Sequence, residues 1–315
     1  MDLSLITSLY RSEAHLPHYM TRVRAVAAQV AGTGLVLQVV VVANDPTPAE
    51  RAILDKFSAQ LANAQVVRLE VPREPVYASW NRGIAASAGR CLAIWNVDDV
   101  RNAPALLEGV RRIEAGCDLV EFPFAVVQGR QTTQHPPQYQ PEALGRKTRL
   151  GPFFVCSREL YNRAGPFDAR FRISGDFEWC ARPAVREARV CHGEAVAGSF
   201  FLHSGNLSGS HNSREDIEDA IVMLRHGLYH DLRPVDARWL RTVWLRWGED
   251  DTALPPEIAA QMWGPDAMAN WQRWQRQQAR IRLERLLRAG PRWIIARAGL
   301  RPLLARWGVV KAETR

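Results

Sequence analysis

The 315-residue chain has no apolar run approaching the roughly 20 consecutive residues that a membrane-crossing helix needs. It also shows no basic-then-apolar leader, because Met1-Asp-Leu-Ser-Leu-Ile runs directly into a strand pattern. Cysteine is scarce. The five thiols (Cys91, Cys117, Cys156, Cys180 and Cys191) are odd in number and irregularly spaced. No two have zinc-ligand spacing, and most lie in apolar runs, so reduced, buried and inert thiols are expected. These absences predict a cytoplasmic protein without a structural zinc. No internal repeat is visible. Acid is scarce at one end only: Trp271–Arg315 holds twelve Lys/Arg against Glu284 and Glu313, a net +10. The whole chain carries +8, so the other 270 residues carry −2. A near-neutral body argues against nucleic acid as its partner.

What is present is core-forming material, 47% hydrophobic residues, arranged in alternation. Residues 3–10 read as a strand and 13–31 as a helix. Leu35–Ala43 is a β-branched run suited to a strand covered on both faces. Asn44-Asp45-Pro46-Thr47-Pro48 marks a turn and helix start. A helix over 48–63, a strand over 65–71, a helix over 76–88 and a strand ending at Trp95 follow. This fourfold alternation predicts a parallel sheet with crossover helices. Ligands bind such sheets beyond the carboxyl ends of the strands. Ser8–Tyr10, Asn44–Asp45 and Asp98–Asp99 all fall at those ends and are expected to share one cleft. Further on, the pattern predicts a helix over 103–115, a strand over 117–127, a mobile loop over 128–149, a helix opening near Ser174 or Gly175, a strand over 194–202 and a helix from about 214.

The two adjacent carboxylates of Trp95-Asn-Val-Asp98-Asp99 repel each other unless a cation separates them. Oxygen ligands suit Mg²⁺ or Mn²⁺ bridging to substrate phosphates. The same residues also suit an ordinary turn and helix cap.

Taken in order, Thr7-Ser-Leu-Tyr10-Arg11, Asn44-Asp45, Trp80-Asn81-Arg82-Gly83-Ile84 with Ala88-Gly89, Asn96-Val-Asp98-Asp99, Gly165-Pro-Phe-Asp168, Gly175-Asp176-x-Glu178 with Arg182, and His203 form a specific set. The chain resembles glycosyltransferase family 2, inverting nucleotide-sugar transferases with the GT-A fold, over about residues 3–212. The resemblance implies an α/β GT-A domain over 1–228, a Rossmann-like nucleotide-binding sheet with an acceptor-side extension. A basic, Trp/Arg-rich helical region over 229–315 would follow it. It implies that Asp45 reads the donor's base, with the backbone of Thr7–Tyr10 (Thr7, Ser8 and Tyr10) forming the other wall. Asn81 and Arg82 would line the nucleotide and sugar, with Arg82 facing the diphosphate. Asp99 would hold Mg²⁺ or Mn²⁺, Asp98 the ribose or a share of the metal, and His203 would complete the metal shell. Asn96 departs from the family's usual first acid; its amide can bond a ribose hydroxyl or orient Asp98, with less negative charge at the ion. Asp176 would be the catalytic base, while Glu178 and Arg182 have the i,i+4 spacing of a structural pair.

The chemistry asks for these types. A departing diphosphate needs positive charge in a dry cleft. The attacking hydroxyl needs a base on the opposite face, worth roughly 10²–10⁴ in rate. The resemblance further implies a UDP-sugar as donor and a saccharide or lipid-linked saccharide of a bacterial surface glycan as acceptor. Eight of the eleven tryptophans lie between 239 and 307. Trp293, Leu300, Leu303, Leu304 and Trp307 share one helical face flanked by arginines, with Pro302 set to kink or split the helix. Such a segment suits an anionic membrane surface at the cytoplasmic face, or packing on the body. The competing classes are a non-catalytic sugar- or nucleotide-binding protein of the same fold and a nucleic-acid binder using the tail.

Overall fold

A computed structural model describes residues 1–61, 63–144, 149–203 and 213–228, with residues 269–270, 272–273, 276–277, 279–280 and 283 further on. The chain forms two compact units, Met1–Met262 and Trp263–Arg315; the described residues of the second are helical. Residues 229–262, where the basic region is expected to begin, and the Trp293–Trp307 face lie outside the described residues. Among the described residues, no helix is long and apolar enough to cross a membrane.

The first unit is built on a seven-stranded sheet of order β10-β6-β9-β4-β1-β2-β3. Its centre is β1 (Leu3–Leu9), β2 (Leu37–Asn44), β3 (Gln65–Val71) and β4 (Cys91–Ile94), all parallel. Their connections are α1 (Leu16–Ala31), α2 (Pro48–Gln60) and α3 (Val76–Ala85), so the predicted alternation is present. Every residue of β2 is buried, Gln38 and Asn44 included, as expected of a strand covered on both faces. Removing each such valine from water contributes roughly 1.5–3 kcal/mol. Helix α2 starts on a capping box in which Thr47 and Glu50 each satisfy the other's backbone N–H, with Pro48 in the first turn.

After β4 come β5 (Val100–Arg101), α4 (Ala103–Glu114), β6 (Leu119–Glu121), β7 (Phe124–Gln128) and β8 (Gln131–His135). The strand expected over 117–127 is thus two strands. Phe122-Pro123 separates them because proline has no N–H for a ladder. The loop expected over 128–149 is corrected in part, residues 145–148 lying outside the described residues. Its first part forms β8, a hairpin partner of β7, and Pro141–Ala143 is a 3₁₀ turn. Buried Glu121 ties the segment down, accepting from Gln138 and Tyr139 N–H (2.8 and 2.7 Å) and from Gly151 N–H (2.8 Å).

Then follow β9 (Phe154–Ser157), antiparallel to β4 and β6, α5 (Arg158–Ala164), α6 (Gly175–Ala181), α7 (Pro183–Arg186), β10 (Val190–His192), β11 (Gly198–Phe201) and α8 (Ser213–Arg225). Strands β5, β11, β7 and β8 form a second, four-stranded sheet beside the Asp98–Asp99 turn. It depends on Gly198: a Cβ there would stand 1.7 Å from the Val100 carbonyl oxygen.

The expectation of five reduced thiols is overturned. Cys117 and Cys191 form a disulfide across the β6–β10 edge, with Cα atoms 6.1 Å apart. Their 74-residue separation hid the pairing. Cys91, Cys156 and Cys180 are free and buried, and burial raises the Cys91 and Cys156 thiols to about 11 and about 12.

Candidate active site

The carboxyl ends of β1, β2 and β3 make one wall. Buried Asn44 closes β2 and staples its neighbours: Nδ2 donates to Leu9 O (3.2 Å), Ser8 Oγ (3.1 Å) and Ser79 Oγ (3.0 Å). The next residue, Asp45, is exposed and left-handed (φ 45°), and Arg11 beyond β1 is left-handed too (φ 48°). Among the described residues these are the non-glycines with positive φ. Such conformations are uncommon outside glycine and cluster at functional sites. Glu50 holds both turns, accepting from Ser12 N–H (2.6 Å) and Thr47 N–H (2.9 Å). The Tyr10 ring is flanked by guanidinium groups, Arg73 at 4.6 Å and Arg11 at 5.2 Å from its centroid. The Thr7 side chain turns into the core, so that only its backbone could face this wall. It is fully buried, 2.5 Å from Tyr19 Oη, and its Oγ1 donates to Trp95 O (2.8 Å).

The second wall is the turn after β4. Burial separates its two acids. Asp99 is 2% exposed, with Oδ2 accepting from Asn96 Nδ2 (3.2 Å) and Oδ1 from Phe201 N–H (3.3 Å). Its carbonyl oxygen accepts from Trp95 Nε1 and Arg22. Burial, with the Asp98 charge beside it, pushes the Asp99 carboxyl up to about 7. Asp99 is therefore the turn's inner anchor. Asp98 is the more exposed acid, with His203 Nε2 3.1 Å from its Oδ2. Asn96 orients Asp99 rather than Asp98. His203 also stacks on His15, centroids 6.0 Å apart. His15, His18, Arg22, Asp98, Phe201 and His203 help line a cleft of about 440 Å³.

Among the described residues there is no group of three His, Cys, Asp or Glu able to hold a metal. The Asp98–His203 pair fits a hard divalent ion only if a substrate diphosphate supplies further oxygens, a common arrangement for Mg²⁺.

Asp176 stands in the first turn of α6, partly buried. Its Oδ1 accepts from Phe177 N–H (2.8 Å), with Tyr77 Oη 3.2 Å away. Tyr77 belongs to the first turn of α3 and so links Asp176 to the carboxyl edge of the sheet. The link requires Gly175, because a Cβ there would stand 2.6 Å from the Tyr77 ring. Burial raises the Asp176 carboxyl above its ordinary range, against hydrogen bonds from Phe177 and Tyr77 and the Arg149 charge. A raised carboxylate suits proton abstraction near neutral pH. Ser174 is the N-cap, yet its hydroxyl caps nothing and donates to Asp219 instead.

Two expected donor contacts are committed elsewhere. Both ends of the Asn81 amide engage Phe167: Nδ2 donates to its carbonyl (2.7 Å) and Oδ1 accepts its N–H (2.9 Å). Oδ1 also accepts from Tyr161 (2.9 Å), which fills it. Asn81 thus pins the Gly165–Asp168 turn. Arg82 is exposed, with its fork on Glu74 (2.8–3.3 Å). Glu178 and Arg182 do pair, at 2.6 Å, and His226 Nε2 lies 3.1 Å from Glu178 Oε1. Arg73, Glu50 and the α8 acids Glu218 and Asp219 escaped sequence reading. For Arg73 a signal existed: it follows β3 as Asp45 follows β2.

A mostly parallel sheet with an acid turn after its fourth strand and a second small sheet beside it match the GT-A glycosyltransferase fold. The chain belongs to glycosyl transferase family 2, whose profile matches residues 4–172. No curated protein matches it. The crystal structure of TarS residues 1–349 from S. aureus, in complex with UDP-GlcNAc, is 16% identical, with TM-score 0.56 over 78% of this chain and 72% of that one. The mannosyltransferase PcManGT from Pyrobaculum calidifontis, in complex with GDP-Man and Mn²⁺, is 15% identical, with TM-score 0.53 over 98% of this chain and 81% of that one. At these identities the likeness is one of fold.

Proposed function

We propose that this glycosyltransferase is an inverting, metal-assisted enzyme that moves a sugar from a UDP-sugar to the hydroxyl of a saccharide or lipid-linked saccharide in surface-glycan assembly. The observation that carries the reading is the disposition of three acids about one sheet edge. Asp45 lies beyond β2, Asp98 with His203 beyond β4, and Asp176 rests on Tyr77 at the start of α3.

In this reading Asp45 accepts from the base, and Tyr10, held between Arg73 and Arg11, offers a flat face beside it. Asp98 and His203 hold Mg²⁺ or Mn²⁺, and Asp99 fixes the turn that carries Asp98. When bound, the ion supplies Lewis-acid stabilisation of the leaving diphosphate. Asp176 takes the proton of the acceptor hydroxyl as its oxygen attacks the anomeric carbon and the bond to the diphosphate breaks. A single displacement inverts that carbon and needs no glycosyl-enzyme intermediate. The basic tail is proposed to bring the enzyme to an anionic membrane surface at the cytoplasmic face.

The solved relatives hold uridine and guanosine nucleotides, so the base is the first thing to test. Melting temperature is measured with UDP, GDP, ADP and CDP, with and without Mn²⁺. Ligand at 100 times its Kd stabilises by about 2.7 kcal/mol. A shift for UDP that needs Mn²⁺ is the expected result. A larger shift for GDP would overturn the uridine assignment, and shifts indifferent to Mn²⁺ would overturn the metal. Release of nucleoside diphosphate from the matching sugar nucleotide separates an enzyme from a binding protein.

A further inference from the structure

Helix α8 lies beyond the family match at residue 172, yet it carries two enclosed acids beside the Asp176 shelf. Glu218 is fully buried. A carboxylate withdrawn from water is costly unless its lone pairs are filled. Here three successive backbone N–H groups fill them: Arg172 donates to Oε1 (3.0 Å), and Ile173 and Ser174 donate to Oε2 (2.8 and 2.9 Å). Asp219 accepts from Ser174 Oγ (2.7 Å) and pairs with Arg149, whose guanidinium lies 4.3 Å over the Phe177 ring. The backbone at 172–174 is therefore wrapped around one buried carboxylate, and the next two residues are Gly175 and Asp176. The Ile173 carbonyl in that segment accepts from Tyr77 Oη (2.6 Å). At the end of α8, Arg225 donates to Asp168 (3.0 Å) and His226 meets Glu178. Helix α6 has only seven residues and cannot orient a side chain by its own stability.

We propose that Glu218 is a positioning residue, which by gripping the backbone of Arg172–Ser174 sets the direction of Asp176, with Asp219 as a weaker second grip through Ser174. This rests on Asp176 being the base. Glu218 touches no reacting atom; it acts through the turn.

The test uses the full chain with Mn²⁺ and UDP-GlcNAc or GDP-mannose, whichever releases nucleoside diphosphate. Glu218→Gln keeps the shape but turns an amide NH₂ toward backbone N–H groups. It should lower kcat at least about tenfold and leave donor KM within about twofold. Amide exchange at 172–174 should speed up. The double variant with Asp176→Asn should be no slower than Asp176→Asn alone, because groups acting as one unit are not additive. An E218Q enzyme with wild-type kcat beside a disabled D176N enzyme would overturn the positioning role and leave the base standing. Full turnover by D176N would overturn the base and the proposal together. Multiplying losses in the double variant, or unchanged exchange at 172–174, would also overturn it. If E218Q does not fold, Asp219→Asn carries the same cycle, with a smaller loss expected.

Discussion

On the proposed donor side, Tyr10, Asp45 and Asp98 stand just beyond strands β1, β2 and β4, and the ladders of a buried parallel sheet set their positions. On the proposed acceptor side, Asp176 sits on a short helix whose entry is held by side chains from α3 and α8, with hydrogen bonds spanning 44 to 99 residues. A ladder places a residue through many equivalent bonds, so no single side chain decides where the strand end lies. The shelf under Asp176 relies on a few particular groups: Tyr77, Gly175, Glu218 and Asp219. The donor edge should therefore tolerate substitution around its acids, while the acceptor side should be sensitive well away from its base.

The comparison can be broken most sharply at Asp176. Asp176→Asn should lower kcat by at least about 10² and leave nucleotide affinity unchanged, measured as nucleoside diphosphate release and as ligand-induced melting shift. Unchanged turnover would leave the acceptor side without a base. On the donor side, Asp98→Ala should abolish the Mn²⁺-dependent part of the melting shift. Asp99→Asn, which keeps the anchor's shape, should keep most of it. The reverse ranking would restore Asp99 as the metal ligand.

A third outcome concerns pH. The Asp99 carboxyl sits at about 7 in the fold against 3.8 for an ordinary aspartate, so the native state holds its proton over that interval while the unfolded state has lost it. Stability in metal-free buffer should fall as pH rises from about 4 to about 7, by at most about 4 kcal/mol, and level off above. Denaturant midpoints at pH 5 and 8 measure this, and Asp99→Asn should flatten the difference. The smallest effect belongs to Arg82, which is exposed and paired with Glu74. Arg82→Ala should leave both melting temperature and donor KM near wild type; a large rise in KM would return Arg82 to the diphosphate.

Much of the donor edge was legible because its signals are local. Leu35–Ala43, apolar but for Gln38 and rich in β-branched residues, reads as a covered strand, and Asn44-Asp45-Pro46 ends it with turn chemistry. The order of Asp98 and Asp99 was not legible, since adjacent carboxylates look alike until Asn96 and the Phe201 N–H draw one inward. Asn81 and Arg82 were assigned to the donor on motif position; Phe167 and Glu74 had already taken them. The Cys117–Cys191 bridge and the Glu121 clamp on the 138–151 segment join residues far apart in sequence, and no spacing announces them.

By itself the sequence determined the alternation of strands and helices, the strand ends at which acids collect, and the family to which the chain belongs. The first two follow from hydrophobic period and turn chemistry, which act over a few residues, and the family from the resemblance of its ordered motifs. Only the tertiary structure decided which acid of the pair faces the cleft, which polar side chains are already satisfied, and what holds Asp176 in place. Burial and hydrogen-bond partners are properties of neighbours in space, and here those neighbours lie tens of residues away along the chain.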